Sequence, residues 1–185
     1  MKPRHIVLTI LLVLLLASTA NAQEPSITDV VITTYQNTVY IYFNIDGCYT
    51  TEIDEVLKSG IPTTFTFNVN LQKLKGIWFD TNMVSKTFRH TIRYDTLMEE
   101  YTITKEEDGK KSIVIKDLEN AKRIMARVKF YPLVSLHMLQ KGETYRLRIK
   151  GELDKVDIPE SLRYVLFFVN LWRFETNWYV EEFVY

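Results

Sequence analysis

The stretch Thr63-Thr64-Phe65-Thr66-Phe67-Asn68-Val69-Asn70-Leu71-Gln72 decides the fold class. Successive side chains of an extended chain point to opposite faces. Phe65, Phe67, Val69 and Leu71 therefore share one face, and Thr64, Thr66, Asn68, Asn70 and Gln72 the other. Such strict alternation predicts a strand buried on one side and wet on the other, the pattern of an antiparallel sheet. Immediately upstream, Ser59-Gly60-Ile61-Pro62 is a stop signal for a helix: Gly supplies a left-handed residue and Pro forbids continuation. The helix it ends spans Thr51 to Lys58, with Ile53, Val56 and Leu57 on one face. Thr51 suits a cap, and Glu52, Asp54 and Glu55 suit the positive end of the helix dipole.

Period-two patterning continues in both directions. Ile27 to Tyr35 reads as a strand, Gln36-Asn37 as a turn, and Val39 to Ile45 as its partner, with Tyr40, Tyr42 and Asn44 on the polar face. Downstream, Asp80-Thr81-Asn82 reads as a loop after Trp78 and Phe79. Phe88, His90, Ile92 and Tyr94 then share a strand face, Tyr101 and Ile103 continue the pattern, and Asp108-Gly109 marks a hairpin leading to a strand at Ser112 to Lys116. Asp117 caps a second helix with Leu118, Ala121, Met125 and Val128 on its apolar stripe. Phe130 to Leu139, Tyr145 to Leu153, the continuous apolar run Tyr164 to Val169, and a last region from Trp172 to Tyr185 broken near Asn177 complete about ten strands. The predicted class is all-β or β-dominated α+β: an antiparallel sandwich or partly closed barrel with two short helices.

The 185-residue chain opens with Lys2 and Arg4, an apolar run from Ile6 to Leu16 interrupted by Thr9, and the small-residue site Ala20-Asn21-Ala22. That is the pattern of a secretory signal peptide, expected to be cleaved after Ala22. Its apolar run is shorter than the roughly 20 residues a spanning helix needs, and no second run of that length follows. The expected organisation is a leader over 1–22 and one β-rich domain over 23–185, exported to the periplasm or cell envelope. Of 23 Lys and Arg, two lie in the leader, so the domain carries 21 basic against 23 acidic residues. This near-neutral balance gives no global field to attract nucleic acid or an anionic membrane.

Chemistry-bearing motifs are sparse. Cys48 is the only cysteine, so no intrachain disulfide forms, and its place beside Asp46-Gly47 suits a small buried hydrophobe. His90 and His137 are the only histidines outside the leader; His90 sits on a mostly apolar face and is expected to be a hydrogen-bonded core residue. No metal-ligand spacing, nucleophile elbow or phosphate-cradling glycine loop is present, so no cofactor, metal or catalytic residue is expected. The acidic doublets Glu99-Glu100, Glu106-Glu107 and Glu181-Glu182 point to opposite faces of a strand and form no carboxylate pair. Arg146, Arg148 and Lys150 fall on one strand face and are the candidate partner-contact stripe, weighed against an ordinary wet strand face.

Several segments taken in order resemble a known family. They are Leu57-Lys58-Ser59-Gly60-Ile61-Pro62 leading into Phe65-Thr66-Phe67; Trp78 with Asp80; Arg93-Tyr94-Asp95 and Tyr101; Gly142 to Leu147; Leu153-Asp154 and Pro159; and Trp178. The family is an uncharacterised bacterial exported one, domain of unknown function 4390. The resemblance implies a soluble or membrane-associated envelope protein with no assigned activity, and it supplies no catalytic residues. The expected function is a non-enzymatic interaction module that binds a protein or another envelope component. Two alternatives stand beside it: a carrier of a lipid or other apolar ligand, and a small outer-membrane β-barrel with an aromatic last strand ending at Tyr185. Glu181 interrupts the alternating apolar set such a barrel would need. The sequence assigns no oligomeric state.

Overall fold

The computed structural model describes residues 24–76, 80–109, 111–154 and 174–185. The expectations for the leader, Trp78, Phe79, Pro159, the run 164–169 and Trp172 lie outside the described residues.

Nine strands and two helices run in the order β1 (Ser26–Tyr35), β2 (Thr38–Asp46), α1 (Thr51–Lys58), β3 (Thr63–Lys73), β4 (Thr81–Asp95), β5 (Glu100–Lys105), β6 (Ser112–Ile115), α2 (Leu118–Met125), β7 (Arg127–Ser135), β8 (Thr144–Leu153) and β9 (Tyr179–Val184) among the described residues. They form a three-stranded sheet of order β1-β2-β7 and a six-stranded sheet of order β6-β5-β4-β3-β8-β9. Every strand pairing is antiparallel. The alternating strand that opened the sequence reading is central: β3 pairs β4 on one side and β8 on the other. The architecture is β-sandwich-like, and the described strands close no barrel.

The core lies between the layers. Phe65, Phe67, Val69 and Leu71 are buried with Ile41, Phe43 and Ile45 of β2 and with Ile53, Val56 and Leu57 of α1. The Phe43 ring meets Phe67 edge-on at 5.6 Å; Phe67 stacks on Phe88 at 5.2 Å, and Phe88 on Tyr131 at 4.1 Å. At Gly151 of β8 the sheets approach closely: a Cβ built there would lie 2.3 Å from Ile45 Cδ1. Burial of these aromatic and aliphatic groups, at roughly 25 cal/mol per Å² of apolar surface, is the main force joining the layers.

The expected elements shift at several boundaries. The first helix is capped at Thr50 rather than Thr51, with no side-chain capping bond. Gly60 takes φ +79°, as its stop role requires. Asp117 does cap α2, accepting the Asn120 backbone N–H at 2.7 Å. That helix ends at Met125 rather than at Val128, and β7 begins at Arg127, because Arg127 and Val128 pair with Asn44 and Phe43 of β2. The same strand ends at Ser135, and residues 136–138 form a 3-10 turn instead of more strand. Thr81 and Asn82 belong to β4, paired with Lys73 and Gln72, and are not a loop. The break near Asn177 is real: Glu175 bridges Glu152, and regular pairing resumes at Tyr179.

β7 is an edge of the smaller sheet. Among the described residues no further strand pairs with it; side chains of the larger sheet reach its backbone instead. Lys86 Nζ donates to Pro132 O at 2.8 Å and Lys105 Nζ to Arg127 O at 2.5 Å. His90 Nδ1 donates to Met125 O at 2.7 Å, just ahead of the strand. These bonds join the layers and occupy acceptors that an exposed edge would otherwise offer to another chain.

Candidate functional site

The stripe Arg146, Arg148 and Lys150 does share the outer face of β8, as alternation requires. Each member is already engaged there. Arg146 donates to Asp80 at 2.9 Å and pairs with Glu182 at 2.8 Å. The Arg148 guanidinium lies 4.5 Å from the Trp178 ring centre, and Lys150 contacts the same ring while pairing with Glu175. Arg146 and Lys150 are charge-paired, and Arg148 is packed on an aromatic ring without an ion pair among the described residues.

Of the reactive side chains singled out in the sequence, His90 and Cys48 lie inside. His90 is fully buried, with Nε2 2.6 Å from Glu107 Oε1, whose side chain is 5 % exposed. Because Met125 O can only accept, Nδ1 carries a hydrogen, and a further proton is shared between Nε2 and the Glu107 carboxyl. Cys48 is buried, and burial pushes its thiol from 9.0 to about 12. His137 is exposed in the 3-10 turn. Lys122 is bound by Asp54 and Glu119; burial pulls its ammonium down, but those two hydrogen bonds outweigh it and hold it above the ordinary lysine range. Among the described residues, no group of three or more His, Cys, Asp or Glu is placed to hold a metal ion. No described helix is long and apolar enough to cross a membrane.

An uncommitted surface lies on the outer face of the three-stranded sheet. Alternation buries Val39, Ile41, Phe43 and Ile45 of β2 and turns Tyr40 and Tyr42 outward. A bulge in β1 between Thr28 and Val31, with Asp29 at φ +52°, resets that strand so that Val31 faces Tyr42 and Thr33 faces Tyr40. A second irregularity lies in β7, where Ile41 pairs Tyr131 but Phe43 pairs Val128, leaving Lys129 and Phe130 opposite Tyr42 alone. Phe130 takes φ +54° there. Its ring stacks on Tyr40 at 3.9 Å and lies 5.8 Å from Tyr35 and 5.9 Å from Tyr42. Phe130 remains 44 % exposed and Tyr35 52 % exposed. Polar groups border the patch: Asn44 donates to Asp29 at 2.6 Å and accepts from Arg127 Nε at 3.0 Å.

Sequence reading had placed Tyr40 and Tyr42 on the polar face but had not seen them as a site. The missing member was Phe130, which a regular strand would not have brought to them. The only available signal was two aromatics on the wet face of a strand whose other face was fully apolar.

The model of a family described as Domain of unknown function (DUF4390) matches residues 22–182. No curated protein and no solved structure matches the chain.

Proposed function

The chain belongs to the DUF4390 family, and from that premise we propose that it is a non-enzymatic binding module of the cell envelope. Its contact surface is the outer face of the three-stranded sheet, centred on Phe130, Tyr40, Tyr35 and Tyr42. Its partner is a folded envelope protein that presents an apolar anchor inside an acidic rim, complementary to the aromatic centre and to Arg127 and Lys129 beside it.

The observation that carries this reading is Phe130. A left-handed backbone costs a non-glycine residue about 1–2 kcal/mol. Here that strain holds a large apolar ring in water instead of in the core, and strained residues of this kind cluster at functional sites. Aromatic centres bordered by polar groups are also the usual composition of protein interfaces. The leader-like pattern of Lys2, Arg4, the apolar run 6–16 and Ala20-Asn21-Ala22 favours export in this reading. The absence of catalysis is supported by the burial of His90 and Cys48, the two side chains best suited to it. A lipid carrier draws less support, because the aromatic inner faces pack on one another across the layers.

A photo-crosslinking residue placed at position 35 tests the reading in intact cell envelope. Position 87 is the control, because Thr87 is exposed on the outer face of the other sheet. One discrete adduct from position 35 and none from 87 is expected. No adduct from 35, or the same adducts from both positions, would overturn it.

A further inference from the structure

Beside the aromatic patch, a cleft of about 610 Å³ opens between the β5–β6 hairpin, α2 and the start of β7. Lys105, Arg123, Arg127 and Lys129 all line it. Lys105 is 6 % exposed, and its one partner among the described residues is the neutral carbonyl of Arg127. Buried charges are ordinarily paired with an opposite charge, yet no carboxylate lies within ion-pair distance of this ammonium among the described residues. Burial holds it below the ordinary lysine range, partly offset by the more distant Glu107 and Asp108. Among the described residues Arg127 uses only Nε, on Asn44, and its two terminal nitrogens have no partner there. Arg123 and Lys129 make no ion pair among the described residues.

Two acids also line the cleft. Glu107 is held by His90 through Oε1 while its Oε2 is buried without a partner among the described residues, and Asp108 stands at the exposed hairpin tip; four basic side chains face these two acids. Cations therefore dominate. The smaller cleft on the other side of Arg123 and Arg127, about 450 Å³, adds only Lys122, which Asp54 and Glu119 already neutralise. Ile113, Ile124 and Phe130 complete the larger cleft with apolar wall.

We propose that this cleft binds a phosphorylated ligand. Lys105, Arg123 and Arg127 hold the phosphoryl group, and the ring or apolar body to which it is attached lies against Ile113, Ile124 and Phe130. Two guanidinium forks and a buried ammonium match a multiply charged oxyanion better than a single carboxylate. A space of this size exceeds inorganic phosphate and has walls suited to an attached body. A soluble sugar phosphate and an anionic phospholipid headgroup share this chemistry. The inference goes beyond the protein-contact reading and does not depend on it, although Arg127, Lys129 and Phe130 belong to both surfaces.

Calorimetric titration of the protein with glucose 1-phosphate and with glucose tests it, alongside sedimentation with vesicles of phosphatidylglycerol and of phosphatidylcholine. Saturable binding of a phosphorylated probe is expected, with none for glucose. Capture by phosphatidylglycerol but not phosphatidylcholine vesicles assigns the headgroup as the source; binding of glucose 1-phosphate alone assigns the soluble ligand. Lys105→Met keeps the buried stem and removes the charge, and Arg123→Gln changes an exposed helix position that folds regardless. Each is expected to weaken binding about tenfold or more, while Arg148→Ala on the other sheet leaves it unchanged. Absence of saturable binding by any phosphorylated probe, or undiminished binding by Arg123→Gln, would overturn the proposal.

Discussion

Phe130 is the residue at which local conformation and surface composition disagree with ordinary folding preferences. Its φ of +54° suits glycine, and its ring is 44 % exposed. Replacing it by glycine removes the strain; replacing it by alanine keeps the strain while also losing the stack on Tyr40. Urea denaturation should therefore find Phe130→Gly more stable than Phe130→Ala by about 1 kcal/mol, reversing the usual strand preference for alanine. A glycine variant less stable than the alanine variant would show that the backbone there is not left-handed. Other single residues were easier to read. His90 sat on an apolar strand face, and that pattern was enough to place it in the core with its ring nitrogens bonded. Cys48 was legible for the same reason, as a small apolar group near a turn. Phe130 was not, because a bulge moves a side chain between faces without leaving a mark on composition.

Among the elements, β3 and β8 were legible almost residue by residue, since strict alternation leaves one register that buries the apolar set. Where they meet β2, Gly151 is fixed by contact: any Cβ would collide with Ile45 Cδ1 at 2.3 Å. Gly151→Ala should destabilise the protein by about 1–3 kcal/mol. Ile45→Val removes the colliding methyl, so the double variant should recover much of that loss, giving a coupling that a denaturant double-mutant cycle reads directly. Simple additivity of the two substitutions would mean that the layers are not in contact there. The end of α2 was misread for an instructive reason. Val128 continues the helical stripe of Leu118, Ala121 and Met125, but it is equally suited to face the core from a strand. Pairing of Arg127 and Val128 with β2 decides between the two, and long-range pairing is invisible to local periodicity. The same holds for the non-sequential neighbours β2–β7 and β3–β8.

The whole molecule carries buried and partly buried groups whose charging opposes folding at high pH. Cys48 is raised from 9.0 to about 12, chiefly by burial. Tyr131 and Tyr179 are raised from 10.0 to about 12, again chiefly by burial, with nearby glutamates adding to it. Each group holds its proton more tightly folded than unfolded, so its stabilising contribution is complete below the unfolded value and is lost as pH rises through the folded one. Lys86 and Lys105, lowered by burial, act with the opposite sign: their contribution grows as pH rises toward the unfolded lysine value of 10.5. The thiol and phenols extend to higher pH and outlast it. Urea midpoints should hold up to about pH 9 and fall between about pH 10 and pH 12; a midpoint that stays level through that window would contradict the burial of these groups. At this scale the sandwich was legible in the sequence, and its function was not. The candidate surface depends on two bulges, and the cleft beside it on the meeting of a hairpin, a helix end and an edge strand far apart in the chain. The most direct measurement of the central claim compares the adduct formed from position 35 in the envelope with and without Phe130→Gly. The account predicts a fall of about tenfold at unchanged melting temperature, and an adduct of equal yield in the two proteins would contradict it.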